Sequence, residues 1–600
     1  MKRILCSLLA VLVLGTIAYL PSLRNGFVYD DEYTVVRNSL IKSWHCLPHL
    51  VQRDYFTLSA EQSYRPAVTL SYFLDYAVWR LNPFGYHLTN LLLHLATASL
   101  LFLLLTEFAA RGDQEMKYRH VPLLAAALFV VHPINSEAVN CISFREDLLC
   151  ALLYLLALLL YVRGRWYGLS LVCFGLALLS KEMAVTLPVM IVICDLLVGS
   201  SWGEGRAGWR KRLTRYTGYI VVLIAYAVAA CGVMRGEASH GEGLSVSGLP
   251  ATGFMKLWVV ACDLGSFFYP ARLSAEYVVT APAPALAVVL LIGLTFLCTF
   301  LALFLRYRSG RLFVFGGVWF FVALIPVSGV YPIFNIRADR YLYLPSMGLC
   351  MAASVVLSRL GTPRVKRAAC HTRIVTILPL VLLFSLCLVT RGRSTVWRDS
   401  FTLWSNALAK AGEHPRAYVG RANASIGIGR YDEAIKDCTS AIRLIPSYPE
   451  AYYNRGLAYH KKGEHDQAIR DFNSVLELVP DHRDSLINRG DAWTEKAEYE
   501  KAIADFNRAL SIAPESADAY NNRGAVYGDQ GDYERALADF NRALRIDPRF
   551  SGAYYNRAMI YFLKKNYVRA LDDFMKARSL GYDIDPARIE ACRHEAASTR

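Results

Sequence analysis

Phe27-Val28-Tyr29-Asp30-Asp31-Glu32 sets three carboxylates side by side just after an apolar N-terminal run, Ile4–Leu20. Adjacent acids repel one another. Near a membrane surface one of them should keep its proton to a higher pH than an isolated carboxylate, which suits a general base. A solvated acidic turn uses the same residues, so spacing alone leaves both readings open. Further polar groups recur down the chain. Tyr64-Arg65-Pro66 precedes an amphipathic stretch, Ala67–Trp79, and His87, Asn90 and His94 fall three and four apart, on one helical face. His132-Pro133, Glu137, Arg145 and Asp147 follow, then Ser180-Lys181-Glu182 and Asp339-Arg340-Tyr341. Arginine neutralises phosphate with a bidentate fork and lysine does so as a point charge, so acids and bases recurring on one membrane face fit a phosphate-bearing headgroup. A single arginine at a helix end is more often a snorkelling anchor. His87 and His94 have no third ligand nearby, and a metal site is not expected there.

The elements that must position these groups are membrane helices. Of 600 residues, 54% are hydrophobic and 19% charged, a composition displaced from globular proteins toward the membrane class. Eleven apolar runs stand out: Ile4–Leu20, Tyr86–Leu105, Val121–Val131, Leu148–Val162, Trp166–Leu179, Met183–Val198, Tyr219–Met234, Ala285–Leu305, Leu312–Val330, Tyr341–Leu357 and Ile374–Val389. The first is read as a retained helix, because Ala18-Tyr19-Leu20-Pro21 makes a poor signal-cleavage site. The net charge of +15 orients them. Residues 396–600 carry 30 basic and 30 acidic side chains, so the excess lies entirely in the apolar part. With the N-terminus cytoplasmic, the inner segments collect Lys2, Arg3, Lys117, Arg163, Arg165 and the basic runs at 206–215, 306–311 and 359–373, as the positive-inside rule requires. Eleven crossings then put the C-terminal part outside. This distribution excludes a soluble nucleic-acid binder, and 14 scattered cysteines without a Cys-x-x-Cys pair exclude a zinc ribbon or disulfide framework.

From Pro415 the chain repeats every 34 residues, with Pro446, Pro480, Pro514 and Pro548 at repeat ends and Ala434, Ala468, Ala502, Ala536 and Ala570 at a small-residue position. This is the tetratricopeptide signature: small residues let paired helices approach, and proline ends the second helix. The expected organisation is all-α: a polytopic membrane domain over 1–395, a connecting helix over 396–414, five repeats over 415–584 and a cap over 585–600. Arrays of this kind present a concave face to peptides or proteins. Asn454, Asn488, Asn522 and Asn556, each followed by arginine on the first helix of its repeat, are candidates for that face; a polar network within the repeats would use the same residues.

Taken in order, these motifs resemble the transmembrane and tetratricopeptide repeat-containing family of protein O-mannosyltransferases. The likeness runs from Phe27-x-Tyr29-Asp30-Asp31 through Gly85-Tyr86-His87, Glu137-Ala138-Val139 and Arg145-x-Asp147-Leu148-Leu149 to Arg340-Tyr341-Leu342-Tyr343-Leu344-Pro345-Ser346. Asp339 stands where the family leads one to expect glutamate, and five repeats are fewer than in animal members, as in a compact bacterial relative. The resemblance implies a C-type glycosyltransferase fold, moving a sugar, mannose in the first instance, from a polyprenyl- or dolichyl-phosphate carrier to Ser/Thr hydroxyls outside the cytoplasm by an inverting mechanism. It implies Asp30 or Asp31 as the base, and Arg145, Lys181 and Arg340 as partners of the leaving phosphate. Glu32, Tyr64, Arg65, His87, His94, Glu137, Asp147 and Glu182 would support the site, and the repeats would engage an acceptor protein. No cofactor is required, since the lipid-phosphate sugar is a substrate; dependence on a divalent metal stays open. The membrane would be a bacterial plasma membrane, or the endoplasmic reticulum in a eukaryote. Transfer to a surface polysaccharide and a non-enzymatic membrane-anchored scaffold are the competing readings.

Overall fold

Among the described residues of the first four hundred, apolar helices follow one another, joined by irregular segments and short 3-10 turns. In the computed structural model the described residues are 2–52, 55, 64–111, 120–197, 206–234, 253–277, 311–327, 337–360 and 369–598; they are all-α and divide into two units, Met1–Gly412 and Glu413–Arg600.

The first unit contains α1 (Lys2–Tyr19), α2 (Pro66–Trp79), α3 (Pro83–Arg111), α4 (Val121–Val131), α5 (Ser136–Asn140), α6 (Arg145–Arg163), α7 (Tyr167–Leu178) and α8 (Leu187–Leu197). It continues with α9 (Arg206–Met234), α10 (Gly253–Phe268), α11 (Arg311–Leu324), α12 (Tyr343–Leu360), α13 (Ala369–Val396) and α14 (Ser400–Ala411). Among the described residues, five stretches are long and apolar enough to cross a bilayer: Lys2–Arg24, Pro83–Ala110, Arg212–Cys231, Asp339–Ser358 and Ile377–Val396. A sixth results if Val121–Val131 and Pro133–Asn140, bent by 49° where Pro133 interrupts the helix, act as one span. The protein is therefore a multi-pass membrane protein. The expected runs at Trp166–Leu179, Met183–Val198 and Leu312–Val330 form shorter helices of 12, 11 and 14 residues. At about 1.5 Å per residue the described parts of these helices are shorter than a hydrocarbon core about 30 Å thick. The Ala285–Leu305 run lies outside the described residues. Large apolar side chains such as Leu5, Val221, Val228 and Phe384 project outward, as they would toward lipid. Inside, α11 and α12 cross at two glycines: a Cβ on Gly348 would lie 2.2 Å from the Gly316 carbonyl oxygen. Only glycine permits so close a backbone approach.

The second unit is five helix pairs, α15 (Pro415–Gly427) with α16 (Tyr431–Leu444), α17 (Pro449–Lys461) with α18 (His465–Leu478), α19 (Arg483–Glu495) with α20 (Tyr499–Ile512), α21 (Ala517–Asp529) with α22 (Tyr533–Ile546), and α23 (Ser551–Leu563) with α24 (Tyr567–Ser579), followed by α25 (Pro586–Ser598). Ala434, Ala468, Ala502, Ala536 and Ala570 are all fully buried. The rings of Phe472 and Phe506 press on Gly456 and Gly490 so closely that a Cβ there would meet a ring carbon at 2.9 and 2.7 Å. Each repeat is also clamped by a bidentate ion pair from its first helix to its second: Arg421–Asp437, Arg455–Asp471, Arg489–Asp505, Arg523–Asp539 and Arg557–Asp573, at 2.6–2.8 Å.

Candidate active site of the membrane unit

The acidic turn is held by its neighbours before it can do anything. Tyr29 sits in the left-handed region, with φ of 58°, an uncommon conformation for a bulky residue and one that marks a constrained turn. Its hydroxyl donates to Glu276 Oε1 at 2.7 Å, and its ring stacks on Trp404 at 5.2 Å and meets Phe144 edge-on at 5.6 Å. The two aspartates that follow differ. Asp31 is fully buried: Oδ2 accepts the Val28 N–H at 3.0 Å, and Oδ1 accepts the Ser143 N–H at 2.7 Å and the Cys141 thiol at 3.4 Å. Burial pushes this carboxyl up to about 6, against the opposing pull of those donors. Asp30 keeps a partly exposed side chain, while its carbonyl oxygen accepts the N–H groups of Tyr33 and Thr34. Glu32 is half-exposed and pairs with Arg37 at 3.1 Å.

The segment 137–147 joins this turn to the basic groups. Ser143 binds Asp31, and the Phe144 ring lies between Tyr29 and Arg340, whose guanidinium is 4.1 Å from the ring centre. Arg340 donates to Glu137 through Nη1 at 2.5 Å and through its backbone N–H at 3.2 Å. Lys181 is buried between Asp147 at 2.6 Å and Glu146 at 3.0 Å, with Tyr341 alongside. Arg65 reaches the same cluster, pairing with Glu146 and, at 3.5 Å, with Glu182. The structure thus brings Arg65, Glu137, Asp147, Lys181, Glu182 and Arg340 together along the 137–147 segment, whose Ser143 N–H holds Asp31. Glu146 is central to the cluster and was not among the expected residues. The signal was available, because Arg145-Glu146-Asp147 is charged throughout, yet Glu146 counted only as a spacer.

Other expected residues lie elsewhere. Arg145 was expected to meet a phosphate. Instead it is fully buried and all three of its guanidinium nitrogens are engaged: Nε with Asn90 at 2.8 Å, Nη1 with Ser71 at 3.2 Å, and Nη2 with the Tyr86 carbonyl at 3.0 Å and Asp75 at 2.6 Å. It ties α2, α3 and α6 together. His87 approaches the Gly26 carbonyl at 3.3 Å and so holds the strand of chain leading into Phe27. His94 is a core residue; Nε2 faces the Val130 carbonyl at 3.1 Å and must donate, leaving Nδ1 to accept from the Tyr343 hydroxyl at 2.7 Å. Tyr64 packs edge-on against Tyr55. In the repeats, Asn488, Asn522 and Asn556 donate to Tyr453, Asp491 and Asn521 of the preceding repeat, and Asn454 is buried. The network therefore joins successive repeats, where an intrarepeat one had been the alternative.

Fold and site together define a multi-pass membrane protein whose polar turns gather one cluster of acids and bases, followed by a helical-repeat unit. Tetratricopeptide repeat models match residues 449–482 and 517–550, and a related TPR repeat model matches 422–463 and 490–531. A protein O-mannosyl-transferase of Caenorhabditis elegans is 26% identical over 470 residues, covering 74% of this chain and 63% of that protein. The Drosophila melanogaster protein O-mannosyl-transferase Tmtc3 is 24% identical over 524 residues, covering 74% and 55%. Human TMTC3 is 23% identical over 478 residues, covering 72% and 50%. This chain is a homologue of these protein O-mannosyl-transferases, and it spans half to under two thirds of their length.

Proposed function

We propose that the protein is a membrane glycosyltransferase that moves mannose from a polyprenyl- or dolichyl-phosphate carrier to Ser/Thr hydroxyls of acceptor proteins. The observation that carries this reading is the packing of the Tyr29–Asp31 turn against the 137–147 segment, whose acids hold Lys181 and Arg340, with Arg340 stacked on the Phe144 ring that Tyr29 meets. The similarity to O-mannosyl-transferases points the same way. In this mechanism Asp30 takes the proton of the acceptor hydroxyl, whose oxygen attacks the anomeric carbon from the face opposite the phosphate. The sugar–oxygen bond breaks toward the phosphate, which leaves with the electron pair and inverts the anomeric centre. Asp31, committed to the Val28 and Ser143 N–H groups, positions the turn. Lys181 and Arg340 supply positive potential for the departing charge from within their carboxylate pairs. An odd number of crossings in a C-type arrangement, with the N-terminus cytoplasmic, would put the turn and the repeats on the exoplasmic side, where the repeats would engage the acceptor.

The test is transfer from polyprenyl-phosphate mannose to Ser/Thr peptides by purified protein. Activity in the wild type that is lost in Asp30→Asn supports the reading. A wild type inert toward every lipid-linked sugar would leave a membrane-anchored scaffold.

A further inference from the structure

The groups expected to meet the donor phosphate are already paired with carboxylates: Arg145 with Asp75, Lys181 with Asp147 and Glu146, Arg340 with Glu137. Arg393, near the C-terminal end of α13, is different. It is 6% exposed, and its Nη1 donates to Asn406 Oδ1 on α14 at 2.9 Å. Its Nε and Nη2 are buried and have no hydrogen-bond partner. Those two nitrogens form the edge with which arginine grips an oxyanion. It is the same edge that holds the aspartate in each of the five repeat clamps.

Its surroundings have matching gaps. Asp339, 2% exposed, lies within electrostatic reach of Arg393, yet no ion pair joins them; Oδ1 accepts from the Tyr277 hydroxyl at 2.5 Å while Oδ2 is buried without a partner. Ser274 Oγ is likewise buried and unmatched. Lys410, on the last turn of α14, reaches in from the exposed rim and donates to the Leu273 carbonyl at 2.7 Å. Burial and the Arg393 charge hold its ammonium down to about 8, with the Asp339 carboxylate pulling the other way. Buried polar groups without partners are rare and costly, and these are linked: the Ser274 N–H donates at 3.0 Å to the Tyr277 hydroxyl, which donates to Asp339. An oxyanion answers the fork of Arg393 and the ammonium of Lys410; a hydroxyl answers Asp339 Oδ2 and Ser274 Oγ. α14 also carries Trp404, on which Tyr29 stacks, so this space adjoins the Asp30 turn.

We propose that Arg393, Lys410, Asp339 and Ser274 form the seat for a sugar phosphate, with the phosphate on the two cations and sugar hydroxyls on Asp339 and Ser274. This deepens the donor reading above and rests on it. The full-length protein in phosphatidylcholine nanodiscs is titrated with mannose 1-phosphate, inorganic phosphate and mannose, followed by the fluorescence of Trp397 and Trp404 and by the unfolding temperature. Mannose 1-phosphate should saturate, inorganic phosphate should bind more weakly, and mannose alone should not bind. Arg393→Lys keeps the charge but removes the fork, and should weaken mannose 1-phosphate binding by about tenfold or more at unchanged unfolding temperature. Unchanged affinity in that folded variant overturns the seat. If Arg393→Lys does not fold, Lys410→Ala, at the exposed rim, is read instead, and unchanged affinity there overturns it. Equal affinity for inorganic phosphate and mannose 1-phosphate overturns the assignment of Asp339 and Ser274. Arg393-dependent binding without any sugar transfer would sink the transferase reading and keep the seat. Transfer with an unaltered donor KM in both variants would do the reverse.

Discussion

Asp30 and Asp31 are neighbours in sequence and opposites in situation. Asp31 spends both oxygens on the backbone of Val28 and Ser143, so its removal should act first on folding. Asp31→Asn cannot present acceptors on both sides, and should lower the unfolding temperature; for an acceptor lost at one of the two buried N–H groups the cost is about 1–3 kcal/mol. The loss should depend on pH. Because the folded Asp31 carboxyl titrates near 6 and the ordinary value is 3.8, the folded protein holds a proton there that the unfolded chain has released. Ionisation of Asp31 therefore reduces stability as pH rises from about 4 to about 6, and the advantage of wild type over Asp31→Asn should shrink across that window, checked by thermal unfolding at each pH. A widening gap would contradict the burial argument. Residue types and adjacency made the acidic pair legible in the sequence. Its division of labour was not, because that is decided by an N–H group 112 residues away. Arg145 shows the same limit: its charge was visible, but Asp75, Asn90 and Tyr86 claim it only once α2, α3 and α6 are packed.

At the scale of elements, the repeats and the membrane helices are held by different devices. Every repeat has an Arg–Asp clamp with the aspartate buried on the second helix and the arginine partly exposed, and removing the arginine leaves a buried carboxylate unpaired. Arg489→Ala should destabilise the repeat unit by about 1–3 kcal/mol, and the Arg489→Ala/Asp505→Ala pair should cost less than the sum of the single changes, measured as a double-mutant cycle in denaturant unfolding. Strict additivity would mean the clamp contributes nothing. In the membrane unit, Gly348→Leu places a side chain where the Gly316 carbonyl already stands and should force α11 and α12 apart, seen as a loss of folded, detergent-stable protein, whereas Gly164→Ala has open space around it apart from its left-handed backbone. The 34-residue period was plain in the phased prolines and alanines. The clamp aspartates at 437, 471, 505, 539 and 573 keep the same period, so they too were legible and went unread beside their arginines. Apolar runs were a weaker guide to crossing helices. Among the described residues α7, α8 and α11 are hydrophobic, but their 11 to 14 residues are fewer than one crossing takes.

For the molecule as a whole, we propose that the +15 charge is an orientation label, since residues 396–600 are balanced. An odd number of crossings predicts that a protease site inserted at Gly164 is cut only from the cytoplasmic face, while one appended after Arg600 is cut only from outside. Cleavage of both from the same face of sealed vesicles would contradict the topology on which the chemistry depends. The central claim, that the turn at Asp30 performs transfer from a lipid-phosphate sugar, is tested most directly by kcat for mannose transfer from polyprenyl-phosphate mannose to a Ser/Thr peptide, wild type against Asp30→Asn at matched unfolding temperature. The account predicts a loss of about a hundredfold or more, the scale of a missing general base, with little change in donor KM. Asp30→Asn turning over at the wild-type rate would contradict it.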